Sequence, residues 1–226
     1  MTFPYRLVDL THTLDANTIS WNGKSGFQDE LKLDYSQCTG AVKFRIKQFK
    51  MHAGIGTHMD APAHCIANGL TIDQIKITNL IAPCFVLDIS NKAHAHYSLS
   101  PQDIQQFESQ YGLIPSNSFV MVKTGWERFW SEPDKYRNNY AFPSVSKEAA
   151  AILIQRNVQA LGIDTLSPDR PEDGFHTHQL FLENNKYIVE NSTNLDLLPI
   201  VGSFILTCPI KVKDATEAPV RLIGLI

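Results

Sequence analysis

Hydrophobic and polar residues alternate along several short stretches of the chain, most clearly at residues 41–51. Val42, Phe44 and Ile46 alternate there with lysine and arginine, which is the period-two pattern of a half-buried strand. Apolar runs of strand length recur at residues 7–10, 84–89, 119–123, 160–164, 204–207 and 220–226. The pattern predicts a protein with many short strands.

Two segments carry the signals of helices. Ser100 supplies a cap before Pro101 in the first turn, so a helix is expected to run through Tyr111 and stop at Gly112. A second helix is expected after residues 143–144, with Ser146 as its candidate cap. Each helix is followed closely by an apolar run, and strands without helices dominate the first third of the chain. This order predicts a mixed α/β domain.

Length and composition fit one globular domain over residues 1–226. The chain is 43% hydrophobic and 19% charged, with a formal net charge of -3 and dispersed basic residues, which argues against a nucleic-acid surface. We expect neither a membrane-spanning segment nor a secretory signal, because no apolar run of the required length is present. The four cysteines form no CxxC pair, and we expect free thiols in a cytoplasmic protein: Cys38, Cys65, Cys84 and Cys208.

The run HAGIGTHMDAPAH, residues 52–64, holds three histidines and an aspartate. His58 and Asp60 are two positions apart, so in an extended segment they point to the same side. An imidazole and a carboxylate on one side form half of a site for a divalent ion. Pro62 stiffens the exit and presents His64 at a fixed offset. The alternative is structural, because a lone histidine commonly serves as a hydrogen-bonding group and a lone aspartate as a turn cap.

A second candidate segment covers residues 175–191, FHTHQLFLENNKYIVEN. His176 and His178 would share a side if this stretch were extended. Glu190 follows a turn and an apolar strand pattern, and the alternative for this residue is a solvated strand end.

Taken together, these motifs resemble the cyclase family of metal-dependent hydrolases, whose members include bacterial kynurenine formamidase and isatin hydrolase. The hallmark of the family is H-x-G-T-H-x-D-x-P-x-H, and GTHMDAPAH at residues 56–64 matches it from the glycine onward. The segments DLTHTLDANTISWNG, KTGW, GIDTLSPD and PVRLIGLI also resemble family segments. The resemblance covers the whole chain.

The resemblance implies a fold and an assembly. Family members adopt a compact, swivelling β/β/α arrangement with a mixed sheet, and they are usually homodimers or homotetramers. A small-molecule substrate is expected as the partner, with neither nucleic acid nor membrane. The implied cofactor is a divalent metal, with Zn²⁺ favoured and Mn²⁺ as the alternative.

The resemblance also assigns roles by position. His58 and Asp60 would bind a first metal ion, and Asp60 would bridge to a second ion held by His178 and Glu190. His64 would be the catalytic acid/base. Trp21 would form a wall of the substrate pocket.

The implied activity is hydrolysis of a small amide, of the arylformamidase or N-formylkynurenine type, or of a cyclic amide. One alternative is a related hydrolase or dehydratase that acts on another carbonyl compound. A second alternative is a catalytically silent or single-metal member that binds a small molecule.

One position departs from the family pattern, because the first histidine of the motif falls on Gly54. His52 stands two positions earlier and would face the same side if the segment were extended. Three outcomes are open: His52 substitutes as a ligand, the site carries one ion on the remaining ligands, or metal affinity is lost.

Overall fold

A mixed sheet of short strands forms the centre of the computed structural model, which describes residues 4–18 and 20–226. Within these residues the strands are β1 (Leu7–Asp9), β2 (Phe27–Leu33), β3 (Ile46–Met51), β4 (His58–Asp60), β5 (Ile81–Asp88), β6 (Ser98–Leu99), β7 (Phe119–Lys123), β8 (Ser144–Val145), β9 (Ala160–Ile163), β10 (Tyr187–Glu190), β11 (Ser203–Pro209) and β12 (Glu217–Leu225). The helices are α1 (Pro101–Tyr111), α2 (Pro133–Arg137), α3 (Lys147–Gln155) and α4 (His176–Glu183).

The eight-stranded main sheet has the order β1-β12-β11-β5-β7-β9-β10-β4, and a further pairing of β4 with β12 closes it into a barrel. The pairs β5–β7, β7–β9 and β9–β10 are parallel, whereas the remaining pairs of this sheet are antiparallel. The mixed α/β fold expected from the sequence is therefore confirmed, and the closure places β4 between β10 and β12.

Apolar side chains fill both faces of the barrel wall. In β7, Phe119 and Met121 belong to the cluster inside the barrel, whereas Val120 and Val122 belong to a second cluster that α1, α3 and α4 cover. Strands covered on both faces consist almost entirely of apolar residues, which explains the uninterrupted run at residues 119–122. The two helices expected from the sequence are confirmed, with Ser100 and Ser146 as their caps.

Two expectations from the pattern are corrected. The strand expected at residues 41–51 begins only at Ile46, and all of its residues are exposed, because β3 pairs only with β2 in a hairpin outside the barrel. His176 and His178 lie in α4 rather than in an extended stretch, so they do not share a side. Across the described ranges, no helix is long and apolar enough to cross a membrane.

Candidate metal centre

The site is built on the outer face of β4. Met59 points into the barrel core, and because side chains alternate along a strand, His58 and Asp60 point outward. Glu190 of β10 lies opposite His58 in the antiparallel register, and directly opposed residues share a face. On the other edge of β4, Glu217 of β12 lies opposite Asp60. Strand pairing therefore brings three carboxylates and one imidazole to the same outer face.

His178 reaches this face from α4, whose first turn is held by Asp169. The carboxylate of Asp169 accepts hydrogen bonds from the backbone amides of Thr177 and His178 at 3.0 and 2.9 Å. Its Oδ2 also lies 2.8 Å from His178 Nδ1. With Nδ1–H donated to Asp169, the Nε2 of His178 faces the strands, where a metal ion can take the place of its proton. This carboxylate–histidine pairing is the usual support of a metal-bound imidazole.

The other imidazole is fixed in the same way. His58 Nδ1 lies 2.9 Å from the carbonyl oxygen of Gly56 and donates to it, which leaves Nε2 free. Gly56 has a left-handed φ of 60°, and a Cβ at this position would overlap the side chain of Leu14. The turn that orients His58 therefore requires glycine at position 56.

The carboxylates of Asp60 and Glu190 each lie close to the Nε2 atoms of both imidazoles. Asp60 lies 3.5 Å from His58 Nε2 through Oδ1 and 3.6 Å from His178 Nε2 through Oδ2. Glu190 lies 3.3 Å and 3.4 Å from the same two nitrogens. Two ligand atoms about 2.1 Å from a tetrahedral ion are about 3.4 Å apart, so these separations fit metal ligands. Asp60, His178 and Glu190 form one cluster of ligand atoms within 4.8 Å, and His58, Asp60 and Glu217 form another.

The electrostatics of the site favour a cation. Burial of His58 and His178 opposes their protonation, but the carboxylates of Asp60 and Glu190, with Asp169 beside His178, raise the pKa of both imidazoles well above the ordinary value. The pKa of Asp60 is lowered, because the two imidazoles outweigh its own burial. Carboxylates that stabilise two positive charges in a buried place can stabilise a metal ion there instead of the protons.

Asp60 provides the most specific observation. Both of its carboxylate oxygens are buried, and among the described residues no hydrogen bond reaches either of them. A buried ionised group normally has hydrogen-bond or metal partners, because its desolvation is otherwise uncompensated. The donor set and the orphaned oxygens of Asp60 therefore fit a divalent metal ion.

The remaining predicted residues line a cavity of about 700 Å³ that opens onto the cluster. His64 Nδ1 lies 3.3 Å from Glu217 Oε2, and its ring centroid is 5.8 Å from that of His178. Trp21 stands at the cavity wall, with its ring 4.6 Å from Tyr140. Hence the structure brings together His58, Asp60, His64, His178, Glu190 and Trp21.

His52 is not brought to the site. It is exposed, and within the described ranges neither ligand cluster includes it. Its backbone amide donates to the carbonyl of Gly26, which keeps this segment alongside the start of the β2–β3 hairpin. The position of His52 therefore does not support its expected role as a substitute for the ligand missing at Gly54.

Two residues of the site could not be predicted from the sequence: Asp169 and Glu217. Asp169 lies in the segment GIDTLSPD but carries no spacing signal that relates it to His178, which follows it across an intervening turn. Glu217 precedes the apolar tail and is far from the motif in sequence. Only the pairing of β12 with β4 reveals its place in the site.

Comparison with known proteins agrees with this geometry. The family model named Cyclase matches residues 8–170. The chain belongs to the cyclase family. It is 27% identical to the isatin hydrolase of Roseibium aggregatum over 76% of this chain and 71% of that protein. It is 26% identical to the kynurenine formamidase of Bacillus cytotoxicus over 96% and 95% of the two chains.

Solved structures of cyclase-family proteins have the same fold. Isatin hydrolase A from Labrenzia aggregata, bound to benzyl benzoate, superposes with a TM-score of 0.89 and 28% identity, over 98% of this chain and 94% of that one. The family resemblance and the fold expected from the sequence are therefore confirmed.

Proposed function

We propose that this cyclase-family protein is a metal-dependent hydrolase of a small amide. The observation that carries the proposal is the pair of buried oxygens of Asp60, which no hydrogen bond reaches among the described residues and which each face the Nε2 of an imidazole. The names of the relatives, isatin hydrolase and kynurenine formamidase, agree with hydrolysis of a carbon–nitrogen bond.

His58, Asp60, His178 and Glu190 would hold the metal. When bound, a divalent ion supplies a Lewis acid for a carbonyl group and lowers the pKa of water in contact with it. Zn²⁺ suits the two imidazoles, and Mn²⁺ suits the carboxylates. We propose Zn²⁺ as the ion, with Mn²⁺ as the alternative.

His64 is the proposed acid/base. Its Nδ1 pairs with the Glu217 carboxylate at 3.3 Å, so its Nε2 is left to accept a proton and return it to the leaving nitrogen. The Glu217 carboxylate raises the pKa of His64 against the opposing effect of burial, which favours holding the proton until the carbon–nitrogen bond breaks. In this arrangement His64 touches the reacting atoms, and Glu217 keeps its ring in place.

A small aromatic amide is the proposed substrate class. The cavity has the size of a small-molecule site, and next to the polar cluster it is lined by apolar and aromatic side chains: Trp21, Ile66, Leu166 and Phe175. A flat ring fits between such walls while its carbonyl group faces the carboxylate and imidazole cluster.

The experiment is to measure bound metal and turnover of wild-type protein and H64A with N-formylkynurenine, isatin and aliphatic formamides. We expect H64A to retain its metal and to lose about 10²–10⁴-fold in kcat, the range for a general acid/base. Loss of metal from H64A would make His64 a ligand. Wild-type protein that holds metal but hydrolyses none of the compounds would favour a silent member or another carbonyl substrate.

We also propose that the protein is a homodimer whose subunits pack through the β2–β3 hairpin. A two-stranded hairpin is marginally stable in water unless another surface covers it. One face of this hairpin carries four apolar side chains around the ion pair of Lys47 with Asp29, as its register shows: Phe27, Leu31, Phe49 and Met51. Phe49 is 59% exposed and Leu31 is 49% exposed in the single chain, and apolar patches of this kind commonly mark an interface.

Light scattering after size exclusion tests this assembly. F49D places a charge on the apolar face and should give monomers, whereas Q48D changes the opposite face of the same strand and should leave the dimer intact. Wild-type monomers, or an F49D dimer, would contradict the proposal, and a homotetramer would add a second interface.

A cytoplasmic location, with neither nucleic acid nor membrane as a partner, stays a prediction, and the four free thiols suit it.

A further inference from the structure

The wall of the metal centre contains a glycine where the family motif has a histidine. A Cβ built on Gly54 would overlap Oε1 of Glu217 and would lie 3.3 Å from Nε2 of His58. The space that a side chain at position 54 would take, directly beside a candidate ligand, is therefore filled by the Glu217 carboxylate.

Glu217 is aimed at this place by the closure of the barrel. It begins β12 opposite Asp60 of β4, and the next residue, Ala218, belongs to the core inside the barrel. Alternation along the strand then directs Glu217 to the outer face, beside Asp60. Because Glu217 belongs to β12, its side chain reaches the site from the barrel wall. The side chain is 24% exposed.

The two oxygens of Glu217 have different surroundings. Oε2 lies 3.3 Å from His64 Nδ1, whereas Oε1 occupies the space beside Gly54 and close to His58. Ligand atoms of His58, Asp60 and Glu217 lie within 4.8 Å of one another. One carboxylate can therefore serve an ion through Oε1 while it holds His64 through Oε2.

We propose that Glu217 is the third protein ligand of the ion held by His58 and Asp60, and that it replaces the imidazole absent at Gly54. The inference rests on the proposed function, since it concerns the same metal site. It also changes the chemistry of that site, because a carboxylate in place of an imidazole gives a donor set richer in oxygen. Such a set raises the relative affinity for Mn²⁺ over that for Zn²⁺.

The test measures metal content by elemental analysis and metal affinity by chelator competition, with Zn²⁺ and Mn²⁺ separately. The proteins are the wild type, E217Q, E217A, G54H/E217A and the control E183Q, which removes an exposed carboxylate of the same cavity wall that belongs to neither ligand cluster. E217Q preserves the shape of the side chain, so it separates loss of the ligand from loss of the fold, and circular dichroism verifies the fold of each variant.

We expect E217Q and E217A to lower the affinity for one of the ions. The loss should exceed the factor of about 10 to 100 that removal of an outer partner costs. The affinity of E183Q should match that of the wild type. G54H/E217A should regain at least about tenfold over E217A, with a higher ratio of Zn²⁺ to Mn²⁺ affinity, because an imidazole returns to the vacated space. The altered metal ratio is a readout that a purely structural role of Glu217 would not move.

Three results would overturn the inference. If the wild type binds metal and E217Q binds it equally well, Glu217 only positions His64, and the proposed function still stands. Glu217 would likewise be only a positioning residue if G54H/E217A recovers no metal affinity over E217A and keeps the metal preference of E217A. If the wild type binds no metal at all, the proposed function fails, and the inference falls with it.

Discussion

The carboxylate of Asp169 accepts three hydrogen bonds from the first turn of α4, and one of them comes from the imidazole of His178. The perturbation we consider is D169A, which removes all three acceptor contacts. His178 Nδ1–H then has no partner in a buried place, and the first turn of α4 loses the group that caps its amides. The ring can rotate away from Asp60 and Glu190.

The magnitude follows from the bonds lost. A hydrogen bond to a charged group contributes about 1.5–3 kcal/mol, and each 1.4 kcal/mol is about tenfold in an equilibrium constant. The metal affinity of D169A should therefore fall by about 10- to 100-fold, as is usual for an outer partner of a metal-bound histidine. Loss of the cap should also reduce the stability of metal-free protein by about 1–2 kcal/mol. D169N keeps one acceptor oxygen, so its metal affinity and its stability should be intermediate between those of D169A and the wild type.

The assay is chelator competition for Zn²⁺, with urea unfolding of the metal-free proteins alongside. E172Q is the matched control, because Glu172 is an exposed carboxylate near Asp169 in sequence that pairs with the exposed His96 and with the buried guanidinium of Arg170. If D169A binds Zn²⁺ as tightly as E172Q does, the orientation of His178 does not depend on Asp169, and the reasoning is refuted.

Two further predictions concern residues away from the ligands. Burial lowers the pKa of His12 to about 4, so between pH 6.5 and 4 the unfolded chain binds a proton that the native chain does not, and stability is lost as the pH falls. Between pH 7 and 5, the free energy of unfolding of H12F in urea should fall by about 2 kcal/mol less than that of the wild type. Equal decreases in the two proteins would contradict this. W21A should raise KM for aromatic amides about 3- to 10-fold through lost ring contacts with unchanged metal content, and an unchanged KM would remove Trp21 from the substrate wall.

Local patterns were sufficient to predict most elements of the fold. The run at residues 119–123 and the caps at Ser100 and Ser146 each contain their own signal, and the structure confirms them. The hairpin was harder, because alternation of Val42, Phe44 and Ile46 predicts a half-buried strand without specifying what buries it. In the single chain every residue of β3 is exposed.

Site residues could be predicted from the sequence only where they match the positions of family motifs. His58, Asp60, His64, His178, Glu190 and Trp21 could be assigned in this way, whereas the contributions of Asp169 and Glu217 depend on tertiary contacts. Glu217 reaches Asp60 only because β12 closes the barrel against β4, and a pairing between distant segments has no local signal. His52, although nearer to Gly54 in sequence, lies outside the cluster, and its backbone amide is bonded to Gly26 beside the hairpin.

Asp60 belongs to both ligand clusters, and we propose that it holds divalent metal. Elemental analysis of wild-type protein and D60N, each loaded with Zn²⁺ or Mn²⁺ and then desalted, tests it most directly. We expect at least one ion per chain in the wild type and none in D60N, with both proteins folded. A wild type without metal, or a folded D60N that retains the wild-type metal content, would contradict it.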